Sequence, residues 1–400
     1  MHMSGFDQHR LDRLRTVVQQ HVDSDTVGGV AWLVSRDDDV EVGVAGTLSR
    51  GEPEPVRRDS LFRISSMTKP IVAVAALVLV EECRLRLDDP VDDLVPELAD
   101  RRVLVDPHGP VDGETVPATR PITVRDLLTF RLGLGMDFSA PWPQPLLEAM
   151  GERSLGGGPP EPQVPPAPDE WMRRLSTLPL VRQPGERWLY NTGSDVLGVL
   201  IARASGQPLD AALRERVRVP LGMTSTGFAA TQVDRLGTCY ARNPETGERV
   251  VYDAPDGQWS TPPAFPSGAA GLVSTLDDLH AFARMLLAGG RPPEGPRLLS
   301  RASVEAMTTD HIGAGPDVPG PSPDGSQGWG LGVGVTVRRT GPGPNVGSYG
   351  WAGGLGSSWA NDPRERVTGV LLTTDTFTRP FPPPAIVQDF WTCLYAALGD

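Results

Sequence analysis

An uninterrupted apolar segment at residues 71–80 constrains the fold of this 400-residue chain more than any other feature. It contains only Ile, Val, Ala and Leu, so a helix formed here has no polar face. A helix that is apolar all round is expected to be buried on every side, and the segment is too short to span a bilayer. A chain of this length can bury a large core. We therefore predict a central helix that other elements surround.

Strand-like segments occur near both ends of the chain. Residues 27–35 and 40–47 flank an acidic turn at 37–39, which is a hairpin signal. A short amphipathic helix is predicted before them and a terminal helix at 386–398. The pattern predicts an α/β (α+β) fold in which one antiparallel sheet is flanked by N- and C-terminal helices. The other predicted strands are 60–64, 328–337, a segment near Trp359 and Asn361, and 366–374.

The region between these strands is predicted to be mainly helical. Nine prolines and three consecutive glycines in residues 139–168 predict a long surface loop or lid without regular structure. A second proline- and glycine-rich loop is predicted at 313–327. We divide the chain into a discontinuous sheet domain, 1–65 and 268–400, and an inserted helical region, 66–267. The predicted helices include one that begins at Thr123 as N-cap, 191–203, 210–217 and 276–287.

Charge and cysteine content exclude several classes of partner. The formal net charge is −13 and no basic run occurs, whereas nucleic acids and anionic membranes require clustered cations. Cys83, Cys239 and Cys393 lie far apart, which indicates neither a disulfide framework nor a metal site. We expect no cofactor, no metal and a small-molecule substrate. The N-terminus has no apolar secretory core, so we expect a cytoplasmic protein; the oligomeric state is left open.

Lysine usage points to one position. The chain has 37 Lys plus Arg, and Lys69 is its only lysine. Arginine cannot lose its proton in a protein, whereas lysine can when it is buried or lies near another cation. A lysine retained where arginine otherwise replaces it indicates a site that requires a removable proton.

Ser66 precedes Lys69 by three residues. On a helix these positions share a face, so the amine can reach the hydroxyl. A helix N-terminus favours the anionic form of a nucleophile there. A serine hydroxyl needs an adjacent base, and burial lowers the pKa of a lysine enough to supply one.

The residues around this pair resemble a known family. Residues 62–70 read FRISSMTKP and residues 85–91 read LRLDDPV. Both resemble the first motif block of the class C β-lactamases and family VIII esterases, which carry an S-x-x-K element. The resemblance implies that Ser66 is the nucleophile and that Lys69 helps to remove its proton.

A second block, PGERWLYNTGSDVLG at 184–198, resembles the tyrosine motif of that family. The resemblance implies that Tyr190 lies opposite Ser66 and shares its proton, with a phenol pKa lowered by a nearby cation. The family pattern Y-x-N reads Tyr190-Asn191-Thr192 here. Thr192 therefore takes the position whose side chain contacts the substrate, a departure nearer to the family VIII esterases.

A third block, Trp351-Ala352-Gly353, resembles the W-x-G motif of the esterases, where β-lactamases carry K-T-G. Glycine lets a strand approach the substrate closely. The resemblance implies that the backbone N–H groups of Gly354 and Ser66 form an oxyanion hole. Further blocks in the same order extend the resemblance over roughly residues 25–400, which implies a β-lactamase/transpeptidase-like fold with the site between sheet and helical region.

Other catalytic arrangements find less support. The chain has no G-x-S-x-G elbow for a Ser-His-Asp enzyme and no H-E-x-x-H metal motif. We expect its histidines, including His280 on a surface-like helix, to be solvated or capping residues. A binding protein without turnover stays open, although the presence of Ser66, Lys69 and Tyr190 argues against it.

We therefore predict a serine hydrolase that cleaves carboxylic esters of small molecules through an acyl-enzyme. A β-lactam carboxylate would meet a lysine at the third motif, but Trp351 stands there and suits an uncharged ester. Activity as a β-lactamase or D-aminopeptidase and acyl transfer to a small-molecule acceptor stay open. So does the choice of Lys69 or Tyr190 as general base. The loop at 139–168 is predicted to set substrate preference.

Overall fold

A computed structural model of the chain describes residues 5–243, 245–313, 315, 318–377 and 382–399. The strands are β1 (Gly29–Arg36), β2 (Asp39–Gly46), β3 (Phe62–Arg63), β4 (Arg102–Leu104), β5 (Thr115–Pro117), β6 (Cys239–Arg242), β7 (Arg249–Asp253), β8 (Val273–Ser274), β9 (Gln327–Trp329), β10 (Gly334–Thr336), β11 (Tyr349–Gly353), β12 (Ser357–Asp362) and β13 (Val367–Thr373). The α-helices are α1 (Gln8–Asp23), α2 (Thr68–Glu81), α3 (Val124–Leu128), α4 (Pro145–Glu152), α5 (Pro168–Ser176), α6 (Thr192–Ser205), α7 (Leu209–Leu213), α8 (Leu276–Leu287), α9 (Arg301–Met307) and α10 (Ala385–Ala396).

Strands from both ends of the chain form one seven-stranded antiparallel sheet. Its order is β2-β1-β13-β12-β11-β10-β9. In β1, Trp32 lies opposite Gly43 of β2 and Leu371 of β13, so the first and last strands are neighbours. This arrangement confirms the predicted sheet. The division into two domains stays a prediction.

Helices cover both faces of this sheet. α1 and α10 pack together on one face, and α8 packs against β13, β12 and β1 on the other. Along β1, Trp32 and Val34 join the core under α1 and α10, whereas Ala31 and Leu33 join the main core. Successive side chains of a strand point to opposite faces. Burial on both faces therefore explains why β1 is apolar without alternation.

The apolar segment forms α2 in the centre of the main core. Residues 71–76 are fully buried, and α6 packs along the helix. The turn between β9 and β10 lies so close to α2 that a Cβ on Gly332 would come within 2.4 Å of the Ala73 Cβ. The predicted central helix is confirmed.

The predicted loop at 139–168 is wrong in part because it contains α4. Pro145 is the first residue of that helix, and Pro168 is the first residue of α5. Proline is tolerated at a first helical position because its missing N–H would have no intrahelical partner there. Residues 139–144 before α4 and residues 153–167 between the two helices are irregular, as predicted.

Two further expectations need correction. The strand predicted at 328–337 is a pair of short strands, β9 and β10, because the turn between them contains Gly332 at φ +81°. His280 is buried rather than solvated, and its Nε2 lies 2.9 Å from Ser35 Oγ. Burial lowers the His280 pKa to about 4, so the ring is neutral at physiological pH.

None of the helices within the described ranges combines the length and hydropathy that crossing a bilayer requires.

Candidate active site

Ser66 lies in a tight turn at the start of the buried helix. A 3₁₀ turn, Ser65–Met67, leads directly into α2. Ser65 has φ +46°, which is uncommon for a residue other than glycine. The Ile64 carbonyl before it accepts hydrogen bonds from the Met67 N–H and the Ser357 hydroxyl. The turn is thus held from within and from strand β12.

Lys69 is fully buried and contacts three oxygen atoms. Its Nζ lies 3.0 Å from Ser66 Oγ, 2.8 Å from Asn191 Oδ1 and 2.8 Å from the Ala269 carbonyl oxygen. Burial lowers its pKa to about 7, against the opposing effect of the Asp195 charge. A substantial fraction of Lys69 is therefore neutral at physiological pH.

The three contacts fix the direction of the amine lone pair. A carboxamide oxygen and a backbone carbonyl can only accept hydrogen bonds. When Lys69 is neutral, its two N–H groups point to Asn191 and Ala269. The lone pair then points to the remaining neighbour, Ser66 Oγ, which can donate its proton.

Tyr190 completes the group around Ser66. Its phenol oxygen accepts a 2.8 Å hydrogen bond from Trp351 Nε1 and interacts with the Ser66 hydroxyl. Lys69 Nζ lies 4.5 Å from the centre of the phenol ring. Burial raises the Tyr190 pKa to about 12. The expected lowering of this pKa is wrong because desolvation outweighs the stabilisation that a nearby cation would give the phenolate.

An aromatic cluster causes this burial. Tyr190 packs edge-on against Phe130 and Trp329, with ring centroids 5.7 and 6.5 Å away. Trp188, Phe138 and Trp351 surround the same ring. The phenol is therefore held in one position, with its hydroxyl at the cleft.

Asn191, rather than Thr192, supplies the polar side chain next to Tyr190. Asn191 has φ +85° and precedes α6, so its amide turns back to Lys69. Thr192 is buried at the first position of α6 and is not among the described residues that line the cleft. The predicted substrate contact of Thr192 is therefore not supported by its position. Asparagine tolerates positive φ better than most residues, so the asparagine at position 191 is the sequence feature that indicates a turn here.

The third motif lies in β11, beside the Ser66 turn. In the described register, β10 pairs with β11 only at Tyr349 and Gly350. The later residues of β11, up to Gly353, lie beside the Ser66 turn and not beside β10. A Cβ on Gly353 would lie 2.3 Å from the Ile64 carbonyl oxygen. Gly353 is thus required for close approach of strand and turn. Its carbonyl accepts a hydrogen bond from the Gly356 N–H, which orients the peptide that carries the Gly354 N–H.

These residues open onto one large cleft of about 1280 Å³. Ser66, Tyr190 and the predicted substrate-binding residues Trp351, Ala352, Gly353 and Gly354 all line it. The charged residues among its described lining are Glu161, Asp195 and Arg338. The remainder of the lining is uncharged and includes many aromatic residues: Phe138, Trp142, Trp171, Tyr252, Phe265, Tyr349, Trp359, Phe377 and Trp391.

The irregular segment after α4 forms one wall of the cleft. The Tyr252 hydroxyl donates to the Pro160 carbonyl oxygen at 2.5 Å, and Gln163 Nε2 donates to the carbonyls of Gln258 and Thr261. These contacts attach the wall to β7 and to the segment that follows it. The segment is thus part of the cleft and not a detached loop.

The histidines and cysteines stay outside this arrangement. Among the described residues, no histidine or cysteine lines the cleft, and no group of three or more potential metal-binding side chains is found. His21 pairs with Asp389, His280 with Ser35 and His311 with a backbone carbonyl. His2 lies outside the described residues.

Sequence reasoning missed two residues of the site, Asn191 and Asp195. Both belong to the block that carries Tyr190, but no spacing rule connects them to Lys69. Asp195 is buried and lines the cleft. A carboxylate inside an otherwise apolar helix is rarely buried without a partner, and this was the signal available.

Comparison with known proteins gives a consistent result. The profile of the Beta-lactamase family matches residues 14–388. Esterase EstB of Burkholderia gladioli is 33% identical over 386 residues, covering 91% of this chain and 90% of EstB.

Solved structures show the same fold. EstCE1, described as a hydrolase with promiscuous acyltransferase activity, has a TM-score of 0.79 and 26% identity, covering 97% of this chain and 99% of its own. Simvastatin synthase LovD from Aspergillus terreus has a TM-score of 0.76 and 23% identity, covering 97% of this chain and 98% of its own. The likeness to LovD concerns the fold alone.

Proposed function

The chain belongs to the beta-lactamase family of hydrolases, and we propose that it is a carboxylesterase that forms an acyl-enzyme on Ser66. The observation that carries the proposal is the position of Lys69. Its Nζ lies 3.0 Å from Ser66 Oγ, and its other two neighbours are oxygens that only accept. A neutral lysine held this way is a base directed at the hydroxyl.

In the first step Ser66 Oγ attacks the ester carbonyl carbon. The proton of the hydroxyl passes to Lys69 Nζ as the Oγ–carbon bond forms, and the carbonyl π electrons move to oxygen. The resulting oxyanion is stabilised by the backbone N–H groups of Ser66 and Gly354. The fixed Gly353–Gly354 peptide supports this role because its donor needs no rearrangement.

In the second step the tetrahedral intermediate collapses. The carbonyl re-forms, the bond to the alcohol oxygen breaks, and Tyr190 protonates that oxygen. A phenol with a pKa near 12 is protonated at neutral pH, which suits an acid better than a base. Lys69, now protonated, restores the phenol proton. In deacylation, water attacks the acyl carbon and gives its proton to Lys69. The bond to Ser66 Oγ then breaks, Oγ takes a proton from Tyr190, and the carboxylic acid is released.

The cleft supports an uncharged substrate. Arg338, the cation among its described lining residues, already donates to Asp324 at 2.7 Å and 3.2 Å. Trp351 occupies the position where a lysine would meet a β-lactam carboxylate. An ester with apolar groups on one or both sides therefore matches the aromatic lining.

Activity as a β-lactamase or D-aminopeptidase is the first alternative, since both share the acyl-enzyme chemistry. Acyl transfer is the second, and the reported promiscuity of EstCE1 favours it. The cleft, with its many apolar lining residues, offers space for an alcohol acceptor in place of water. Adding a primary alcohol during ester turnover and measuring the new ester against free acid tests this alternative.

The decisive experiment compares p-nitrophenyl butyrate with nitrocefin in wild type, Ser66→Ala and Ser205→Ala. Ser205 is a buried serine at the end of α6, away from the cleft, and serves as a matched control. We expect ester hydrolysis in wild type and Ser205→Ala, with a loss of at least about 10³-fold in Ser66→Ala. We expect nitrocefin to be a much poorer substrate.

Three outcomes contradict parts of the proposal. Full ester hydrolysis by Ser66→Ala removes Ser66 as nucleophile. Faster turnover of nitrocefin than of the ester favours a β-lactamase. Absence of turnover with both compounds in folded wild type contradicts a carboxylesterase for such esters.

A further inference from the structure

Asp195 is a buried carboxylate next to the proposed catalytic pair, and the steps above do not use it. It lies in the first turn of α6, directly after the Tyr190-Asn191 pair that contacts Lys69. Asp195 is 7% exposed and lines the cleft. Oδ1 accepts hydrogen bonds from the Ser267 hydroxyl at 2.6 Å and the Ala269 N–H at 3.1 Å.

The Ala269 residue connects Asp195 to Lys69. Its N–H donates to Asp195, and its carbonyl accepts from Lys69 Nζ at 2.8 Å. The Ser267 hydroxyl also accepts from the Ala270 N–H at 3.1 Å. Asp195 therefore anchors the short segment 267–270, and this segment holds Lys69 in its orientation towards Ser66.

The charges of the two residues act on each other. The titratable side chains that face Lys69 among the described residues are Tyr190 from one side and Asp195 from α6. The carboxylate favours the protonated lysine, whereas burial favours the neutral one. Burial raises the Asp195 pKa, and the Ser267 hydroxyl, the Lys69 charge and the Ala269 amide oppose that rise.

We propose that Asp195 is a positioning residue, which holds Lys69 through Ala269 and whose negative charge sets the pH at which Lys69 becomes a neutral base. Its catalytic consequence rests on the proposed function. Asp195→Asn keeps the size and an accepting oxygen but removes the charge. Loss of an opposite charge lowers a lysine pKa, so Lys69 should lose its proton at lower pH.

Because Lys69 is the only lysine of the chain, ¹³Cε-labelled lysine gives a single NMR resonance that reports its protonation. We would titrate it in wild type, Asp195→Asn and Asp278→Asn. Asp278 is a matched control on α8, since it is buried and accepts from one hydroxyl and one backbone N–H, both at 2.8 Å. We expect a midpoint near pH 7 in wild type, a decrease of about one pH unit in Asp195→Asn, and no change in Asp278→Asn.

A midpoint that stays or rises in Asp195→Asn overturns the proposal. If circular dichroism shows that this variant does not fold, Asp195→Ala enters the same titration with the same expected direction. In ester hydrolysis, the acid limb of kcat/KM should move with the lysine midpoint, and an unmoved limb overturns the catalytic role. If the midpoint moves but no variant hydrolyses esters, the charge relation stands and the proposed function fails.

Discussion

The indole N–H of Trp351 donates a hydrogen bond of 2.8 Å to the phenol oxygen of Tyr190. An indole N–H can only donate, so the phenol hydrogen points away from Trp351. The Ser66 hydroxyl also interacts with the phenol, so Trp351 holds the phenol in its orientation beside Ser66. Trp351 of the third motif therefore orients Tyr190 of the second motif, and it also lines the cleft.

Replacing Trp351 with Phe removes this hydrogen bond and retains an aromatic ring. We expect kcat for p-nitrophenyl butyrate to fall about fivefold, since one hydrogen bond contributes about 1 kcal/mol, with a smaller change in KM. Trp359→Phe is the control, because Trp359 lies opposite Trp351 on β12 but its indole donates to Asn361. Equal losses in both variants would show that ring packing matters and the hydrogen bond does not.

The pH dependence of ester hydrolysis should follow Lys69. Its pKa is lowered to about 7 by burial, and the protonated amine cannot act as a base. We therefore expect kcat/KM to rise with pH through about 7 and to level off above it. Tyr190, with a pKa of about 12, should cause no decrease at moderately alkaline pH. A profile of kcat/KM from pH 5 to 10 measures this, and an activity maximum below pH 6 would contradict it.

Lys69→Arg tests whether this proton must be removable. Arginine keeps a positive charge and donors but cannot become a base. We expect a loss of about 10²–10⁴-fold in kcat, the range for a general base, and no recovery at high pH. Thermal unfolding provides the control for folding. Substantial activity in this variant would mean that Lys69 serves as a fixed cation and that another group takes the proton.

Much of the fold was predictable because burial leaves a periodic pattern. α8 coincides with the predicted 276–287, and α2 follows from its apolar run. The same periodicity places His280, four residues after Leu276, on the buried face of α8, although the adjacent acids Asp277 and Asp278 suggest an exposed one. In β10 and β11, glycines interrupt the alternation that identifies strands.

The parts of the site that could be predicted are those whose residues are close in sequence or belong to a family motif. Ser66 and Lys69 are one helical turn apart, and their contact follows from spacing. Asn191 and Ala269 reach Lys69 across long sequence separations, which no local rule connects. The direction of the Tyr190 pKa shift depends on packing by rings from several segments, so only the three-dimensional structure provides it.

Gly353→Ala tests the close approach of β11 to the turn that carries Ser66. The new Cβ would lie 2.3 Å from the Ile64 carbonyl oxygen and 2.4 Å from Ser357 Oγ, which forces the strand away from Ser66. We expect kcat to fall by about 10²–10³-fold, as for a lost oxyanion donor, with a smaller effect on KM. Gly354→Ala is the control, because nothing lies within 4 Å of its Cβ position and alanine retains the N–H. A larger loss in Gly354→Ala would contradict this geometry.

Trp142 tests the prediction that the segment at 139–168 sets substrate preference. It is 59% exposed although it lines the cleft, and Val164 of the same 139–168 segment is 53% exposed. Exposed apolar side chains at a cleft gain stability when a ligand covers them. In Trp142→Ala we expect kcat/KM for p-nitrophenyl octanoate to fall about tenfold, which corresponds to losing some 50 Å² of apolar contact at about 25 cal/mol per Å². We expect kcat/KM for p-nitrophenyl acetate to stay within about twofold. Val219→Ala, an equally exposed residue outside the cleft lining, should change neither. An unchanged octanoate-to-acetate ratio in Trp142→Ala would mean that longer acyl chains extend from Ser66 in another direction. They would then run past β11 and not along the 139–168 segment.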